Sequence, residues 1–391
     1  MTDFSPNSAS PNSGNAAPPL AAGLRVLDLS RVLAGPYAAM TLGDLGASVI
    51  KVEQPGRGDE TRRWGPPFDA DGESAYYLSI NRNKLGITLD LTDREDRAVL
   101  LGLLTDADVV IENFLTVALE RLGLSPGTLL MSHPNLIWCT IGGFGKDPNR
   151  PGYDFAVQAE SGWMSVNGVP DGEPLRGPVA IVDVLTGKDA AIAILAALLR
   201  RERQALTAGE RHVSISLMHS AVAALVNVAQ NVLVSRVEAR RWGNGHPNIV
   251  PYQLFHARDG DVVIAVGTDS QWRACTSVLG LTELTSDETL STNAGRLAER
   301  ERVVGTMAEA VTSLPAAGLI AELTAVGVPC GRVRSVSDAV AEVRGSPLTG
   351  IPPSVPGTVR LPPPRLDEHG ELIRTHGWSA FSNLASGANR D

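Results

Sequence analysis

Residues 24–53 read LRVLDLSRVLAGPYAAMTLGDLGASVIKVE, and this stretch decides the fold class. Arg25–Leu29 (RVLDL) is a short apolar run with strand composition, and Ala47–Glu53 (ASVIKVE) is a second. Between them Gly35-Pro36 opens a helical segment, with proline in a first-turn position where its missing N–H costs nothing. Strand, helix and strand in so short a span make a βαβ crossover. The pattern repeats outward through strand Leu85–Leu91, helix Asp93–Thr105, strand Asp108–Glu112, helix Leu115–Leu122 and strand Leu136–Ile141. Strand Pro178–Val184, a helix over Lys188–Arg203, strand His212–Leu217 and an apolar helix Met218–Val234 continue it. Such alternation predicts an α/β chain built on a mostly parallel, doubly wound, Rossmann-like sheet.

The composition shifts after Arg240. Arg241–Gln253 (RWGNGHPNIVPYQ) is rich in Gly, Pro and Asn, so residues 236–250 read as a linker and glycine loop. A hairpin follows, Gln253–Ala257 and Val262–Gly267 around Arg258-Asp259-Gly260, then helices near Ser270–Leu279, Arg296–Leu314 and Ala316–Ala325. Residues 251–339 are therefore expected to form a smaller α+β domain. Residues 23–235 plus 340–391 form the large one, with the Pro-rich tail extended and packed back on it. Residues 1–22 carry Ser, Asn, Pro, Ala and Gly with almost no bulky apolar groups, the composition of a disordered extension. They resemble neither a secretory signal nor an Arg-rich transit peptide, and a cytoplasmic location is expected.

Composition excludes several function classes. The 391 residues carry 34 Lys+Arg against 43 Asp+Glu, a formal charge of −9 that argues against nucleic-acid and anionic-membrane partners. No apolar run reaches about 18 residues, so no transmembrane helix is expected. Cys139, Cys275 and Cys330 are far apart, which disfavours a disulfide framework and a thiolate zinc site. The seven histidines include no H-x-x-x-H pair, so no metal site is expected.

Five constellations each carry a functional and a structural reading. Glu53 ends the second strand where a ribose-binding acid would sit. The first turn, Ser30 to Pro36, lacks G-x-G-x-x-G, however, so a nicotinamide cofactor is disfavoured. Arg57-Gly58-Asp59-Glu60-Thr61-Arg62-Arg63 and Asn81-Arg82-Asn83-Lys84 are cationic loops of the kind that bind phosphates, or else solvated surface. Asp183 closes the apolar run PVAIVD ahead of a helix, as a desolvated nucleophile or as a helix cap. Gly243-Asn244-Gly245-His246 is a mobile cover or a plain linker. Tyr153-Asp154 begins a helix, either by packing alone or as part of a site at a strand's carboxyl end.

Together these segments resemble the family III CoA-transferases from Leu24 to about Pro364. The matching blocks include the opening stretch through Phe68, YYLSINRNKLGITLDL, PGYDFAVQAESG, IVDVLTG, RWGNGHPNIVPYQLFHARDG and GVPCGRV. RRWGPPF, SINRNK and RRWGNGHPNIVPYQ look most like the succinyl-CoA:glutarate branch. The resemblance implies that Asp183 is the nucleophile, that Gly243 and Gly245 shield its intermediates, and that Tyr153 and Asp154 belong to the catalytic set. It implies CoA contacts at Val32, Leu89, Asn113 and Arg121, which join Arg57 and Lys84 from the cationic loops. It also implies coenzyme A as substrate with no permanent cofactor, and an interlocked homodimer. Leu33 stands where formyl-CoA transferases carry glutamine, and Pro151, beside Arg150, where they carry a basic residue, which disfavours formate–oxalate exchange. Tyr153-Asp154 replaces the His-Asp pair of the α-methylacyl-CoA racemases, the alternative reading, and a Tyr of pKa about 10 is a poor proton carrier. A non-catalytic acyl-CoA-binding paralogue is disfavoured by Asp183 and the glycine loop. For a distal carboxylate on the acyl group, Arg31, Arg82, His246 and Asn248 are equal candidates.

Overall fold

In the structure, a computed structural model, residues 18–343 and 345–387 are described. The extension expected over residues 1–22 lies almost wholly outside the described residues. The chain divides into two compact units, one of 1–157, 180–221 and 344–391, the other of 158–179 and 222–343. Residues 158–179 and 222–235 thus group with the second unit, whereas the sequence reading places them in the large domain.

The first unit holds strands β1 (Arg25–Asp28), β2 (Ser48–Glu53), β3 (Lys84–Thr88), β4 (Val109–Glu112), β5 (Ile137–Gly142) and β6 (His212–Ser216). They form a six-stranded sheet in the order β3-β2-β1-β4-β5-β6, with every neighbouring pair parallel. This is the order of a nucleotide-binding sheet, which reverses direction between β1 and β4. Strands buried on both faces need continuous rather than alternating apolar runs, and Val26, Leu27, Val49, Ile50, Val109, Val110 and Ile111 are all fully buried. Helix Ile181–Arg203 packs against helix Ala34–Asp44 through Gly187, where a Cβ would stand 2.6 Å from the Ala34 carbonyl oxygen. The tail closes one side of the core, with Ile373 and Trp378 buried and the Trp378 indole N–H donating to Leu103 O at 3.0 Å.

The second unit contains an antiparallel sheet of β7 (Tyr252–Ala257), β8 (Gly260–Ala265) and β9 (Cys330–Arg332), in that order. Its core gathers Phe255, Ile264, Trp272, Met307 and Leu323.

Four expectations are corrected. No strand covers 178–184; helix Ile181–Arg203 starts there instead. The β-branched run Ile181-Val182 suggests a strand, but a side chain from elsewhere in the fold caps the helix and overrides that propensity. The apolar helix expected over 218–234 is broken into Leu217–Ala223 and Val226–Ser235, with Val226 at φ 42°. The helix expected over 296–314 is two, Asn293–Ala298 and Arg300–Thr312. The tail is extended only in part, since it ends in helices Gly370–His376 and Ala380–Gly387. Among the described residues no single helix is long and apolar enough to cross a membrane.

Candidate active site

The carboxyl ends of the six parallel strands carry two cavities. In a doubly wound sheet this edge is where ligands bind, because loops diverge at the point where strand order reverses. The first, of about 320 Å³, lies over the ends of β1, β2 and β3, where Leu29, Glu53, Arg57 and Leu89 line it. The second, of about 190 Å³, lies at the β1/β4 reversal and draws Val32, Asn113, Tyr153 and Asp183 from four separate segments. Arg31, Glu60 and Phe114 line both.

Asp183 is 7% exposed, in the first turn of helix Ile181–Arg203. The residue at the cap position, Ala180, has no side chain to offer. Asp154 supplies the cap instead: its Oδ1 accepts the N–H of Val182 at 2.8 Å and of Asp183 at 3.3 Å. The cap reading of Asp183 is therefore replaced by a division of labour, with Asp154 capping and Asp183 facing the cavity. Among the described residues nothing donates a hydrogen bond to the Asp183 carboxylate. Burial, and then the Asp154 charge, push its pKa up to about 7. Tyr153 is half-exposed on the same wall, its ring 6.5 Å from that of Trp64. Trp64 meets Tyr76 edge-on at 5.1 Å. Burial and the charges of Asp183 and Asp154 raise the Tyr76 hydroxyl above its ordinary range. Tyr76 thus stands near Asp183, a neighbour that spacing along the chain does not reveal.

The loop after β1 is held in an unusual shape. Val32 has φ 68°, a region costly for a β-branched residue and one that marks functional sites. The surroundings enforce it. The Asn113 amide clamps the Arg31 backbone, Oδ1 accepting its N–H at 2.9 Å and Nδ2 donating to its carbonyl at 2.8 Å. The Val32 N–H points between the two Asp59 oxygens, each at 3.3 Å. Asn113 in this structure therefore acts on the loop itself.

Below the larger cavity lies a buried charge network. Lys51 pairs with Asp59 at 3.1 Å, Lys84 with Asp28 at 2.8 Å and Arg62 with Glu53 at 2.6 Å. Burial works against the Asp59 charge, but Lys51 and the hydrogen bonds from the Thr61 N–H and hydroxyl together outweigh it and hold the carboxyl below its ordinary range. Lys84 donates to Asp28, to the Pro36 carbonyl at 2.9 Å and to Asn81 Oδ1 at 2.8 Å, so its ammonium donors are spent inside the protein. Arg82 is likewise held by the Asp44 carboxylate at 2.9 and 2.7 Å. The loop Asn81–Lys84, read from sequence as a phosphate binder or a solvated loop, has its cations buried in the fold. Arg57 by contrast is exposed at a cavity wall, while Arg121 is exposed at the end of helix Thr116–Leu122 and lines neither cavity.

Gly243 and Gly245 belong to the second unit. Gly243 adopts φ 60° and its N–H donates to Gly168 O at 3.1 Å. Arg300 donates to the His246 and Pro247 carbonyls at 2.9 and 3.0 Å and stacks on Trp242 at 4.5 Å. The His246 Nδ1 accepts the Asn248 N–H at 3.0 Å. Among the described residues no cluster of three or more His, Cys, Asp or Glu could hold a metal ion.

Known proteins share this arrangement of sequence and fold. A succinate–glutarate CoA-transferase of Agrobacterium fabrum is 41% identical over 337 residues, covering 84% of this chain and 83% of its own. The mouse succinyl-CoA:glutarate CoA-transferase is 40% identical over 325 residues, covering 82% of this chain and 74% of its own. A crystal structure of a CAIB/BAIF family protein from Brucella suis superposes with a TM-score of 0.80 at 39% identity, covering 92% of this chain and 99% of that one. The model of CoA-transferase family III matches residues 21–346. With that match spanning most of its length, the chain belongs to CoA-transferase family III and is a CoA-transferase.

Proposed function

We propose that this enzyme moves CoA from a succinyl-CoA-like donor to a dicarboxylic acid through an aspartyl-CoA thioester on Asp183. The observation that carries the reading is a buried carboxylate on a cavity wall at the strand-order reversal, with no hydrogen bond to its oxygens among the described residues. A carboxylate freed of water and of donors is a stronger nucleophile than a solvated one. Its attack on the thioester carbonyl gives a mixed anhydride and CoA thiolate. The thiolate then attacks the aspartyl carbonyl, leaving aspartyl-CoA and the donor's free acid. The acceptor carboxylate opens that thioester to a second anhydride, and thiolate attack on its acyl carbonyl releases the new acyl-CoA and the Asp183 carboxylate. Thioester energy is conserved throughout. The named activities of the relatives support a dicarboxylate acceptor.

For CoA, the open face of the larger cavity suits the nucleotide, with Arg57 as phosphate partner and Leu89 on its wall, while Arg121, next in sequence to the cavity-lining Leu122, keeps the CoA contact that the family resemblance implies. Val32 and Asn113 shape the turn over which the thioester arm passes. Gly243 and Gly245 retain the shielding part that the family resemblance implies. Lys84 is left out of the contacts because its donors are spent.

The reading is tested by a purified-enzyme assay of succinyl-CoA against dicarboxylic and monocarboxylic acceptors, run across pH. Because Asp183 ionises near 7, kcat/KM is expected to rise with pH through about 7 and then level. A profile flat from pH 5 to 9 contradicts an ionising Asp183 nucleophile. The racemase alternative needs two proton carriers, and Asp154 is engaged as a helix cap. A 2-methylacyl-CoA incubated in deuterated water is therefore expected to keep its α-hydrogen, and rapid exchange would favour the racemase.

A homodimer is proposed as well. Ile192, Leu195 and Leu199 form an exposed apolar stripe along helix Ile181–Arg203, which a soluble monomer rarely leaves bare. Light scattering is expected to give twice the chain mass.

A further inference from the structure

Of the four candidates for reading a distal carboxylate, Arg31 is the one that lines the cavity holding Asp183. Arg82 is buried and spent on Asp44. His246 and Asn248 are not among the residues lining either cavity; the imidazole Nδ1 accepts the Asn248 N–H and the Asn248 amide oxygen accepts from Asn231 at 2.7 Å. Arg31 remains. Its side chain is 47% exposed, and it lines both cavities at the edge of the sheet.

The setting of Arg31 is that of a positioned recognition group. Its backbone is clamped by Asn113 and followed by the strained Val32, so its Cα is fixed relative to the reversal point. One N–H, on Nη1, donates to Glu60 Oε1 at 2.9 Å, and the guanidinium lies 5.6 Å from the Phe114 ring centroid. The donors on Nη2 and Nε make no hydrogen bond within the protein among the described residues. A planar guanidinium held on one edge presents its other edge in the geometry that a carboxylate accepts in two parallel bonds. With Glu60 and Phe114 it is shared by the larger cavity and the one that holds Asp183.

We infer that Arg31 reads the distal carboxylate of a dicarboxylic acyl group while Asp183 exchanges the proximal one, with Glu60 orienting the guanidinium. This rests on the proposed dicarboxylate-transferring reading of the Asp183 cavity. It gives the enzyme a physical reason to prefer a diacid over a monoacid of equal length. The distal carboxylate needs a charge-assisted partner inside a confined cavity, and a monoacid offers nothing to it. Glu60 adds a second consequence, because its own charge repels a carboxylate that approaches without engaging Arg31.

The test uses the full-length protein with saturating succinyl-CoA as donor and two acceptors of matched carbon number, a dicarboxylate and a monocarboxylate. It reads kcat/KM for each acceptor, which reports the acceptor half-reaction alone because the donor's acid has left before the acceptor reacts. Wild type is expected to favour the dicarboxylate. Arg31→Gln is expected to lower kcat/KM for the dicarboxylate by about 10- to 100-fold, the size of a lost charge-assisted pair, and to leave kcat/KM for the monocarboxylate within about two-fold. Arg31→Lys keeps the charge and loses the fork, so an intermediate loss is expected. Thermal unfolding of Arg31→Gln should match wild type, since only an exposed ion pair is lost. Equal losses in kcat/KM for both acceptors, or an unchanged kcat/KM for the dicarboxylate, would overturn the assignment of Arg31 while leaving the Asp183 reading in place. A wild type with no preference for diacids would overturn both.

Discussion

Asp183→Asn is expected to lower CoA transfer by about 10⁴-fold or more while making the folded protein more stable above pH 7. The two effects have one cause. Burial and the Asp154 charge raise the Asp183 pKa to about 7, so the ionised form needed for attack is the form the fold disfavours. A carboxyl whose folded-state pKa is raised contributes full stability below its unfolded pKa, near 4. That contribution is lost as pH rises through the folded value of about 7. At pH 8 wild type therefore carries a penalty of roughly 2–4 kcal/mol that a neutral amide does not. Urea unfolding at pH 5 and pH 8 checks the sign: the advantage of Asp183→Asn should grow between them. An Asn variant less stable at pH 8 would mean that the carboxylate is held by favourable contacts. An amide can neither open a thioester nor be regenerated as a carboxylate, so the activity loss does not depend on the stability change.

Lys84→Met is expected to destabilise the protein by about 3–5 kcal/mol while changing KM for CoA little in the fraction that folds. Removing the ammonium leaves Asp28 fully buried beside the Pro36 carbonyl and Asn81 with their donor gone. Lys51 still faces Asp28, which keeps the loss from being larger. Arg57→Ala is expected to do the reverse, weakening CoA binding and moving stability by no more than about 0.5 kcal/mol, as exposed positions do. Chemical unfolding and CoA titration of the two variants separate the roles. If Lys84→Met bound CoA weakly at wild-type stability, the cation would be acting on ligand rather than on the fold.

Much of the sheet is legible in the sequence because parallel strands buried on both faces leave continuous apolar runs at β1, β2, β4 and β5, a signal carried by adjacent residues. The start of helix Ile181–Arg203 is not legible. Its cap comes from Asp154, distant in sequence, so a local reading sees only a β-branched run ending in an acid. The break after Ala223 fails for a related reason: a segment apolar all round carries no periodic mark of where it turns.

The candidate site divides in the same way. Asp183, Tyr153, Val32 and Asn113 each stand in a recognisable block, and the structure gathers them at one cavity. Lys84 and Arg57 look alike as cations in loops near strands, and only packing separates a buried structural ammonium from an exposed guanidinium. Arg31 and Glu60, 2.9 Å apart, sit in a loop and at the start of a short helix 29 residues on, and no spacing rule joins them. Tyr76 leaves no local signal, because a tyrosine beside another tyrosine in a helix reads as packing.

The central claim is a covalent bond between CoA and Asp183, and trapping that thioester tests it most directly. The enzyme is mixed with succinyl-CoA in the absence of acceptor, quenched with hydroxylamine and digested for peptide mass spectrometry. Hydroxylamine converts an aspartyl thioester or anhydride into a stable hydroxamate. The account predicts a hydroxamate on the peptide containing Asp183, dependent on the acyl-CoA and absent in Asp183→Asn. A hydroxamate on Asp154 or Glu60 instead, or full transfer activity in Asp183→Asn, would contradict it.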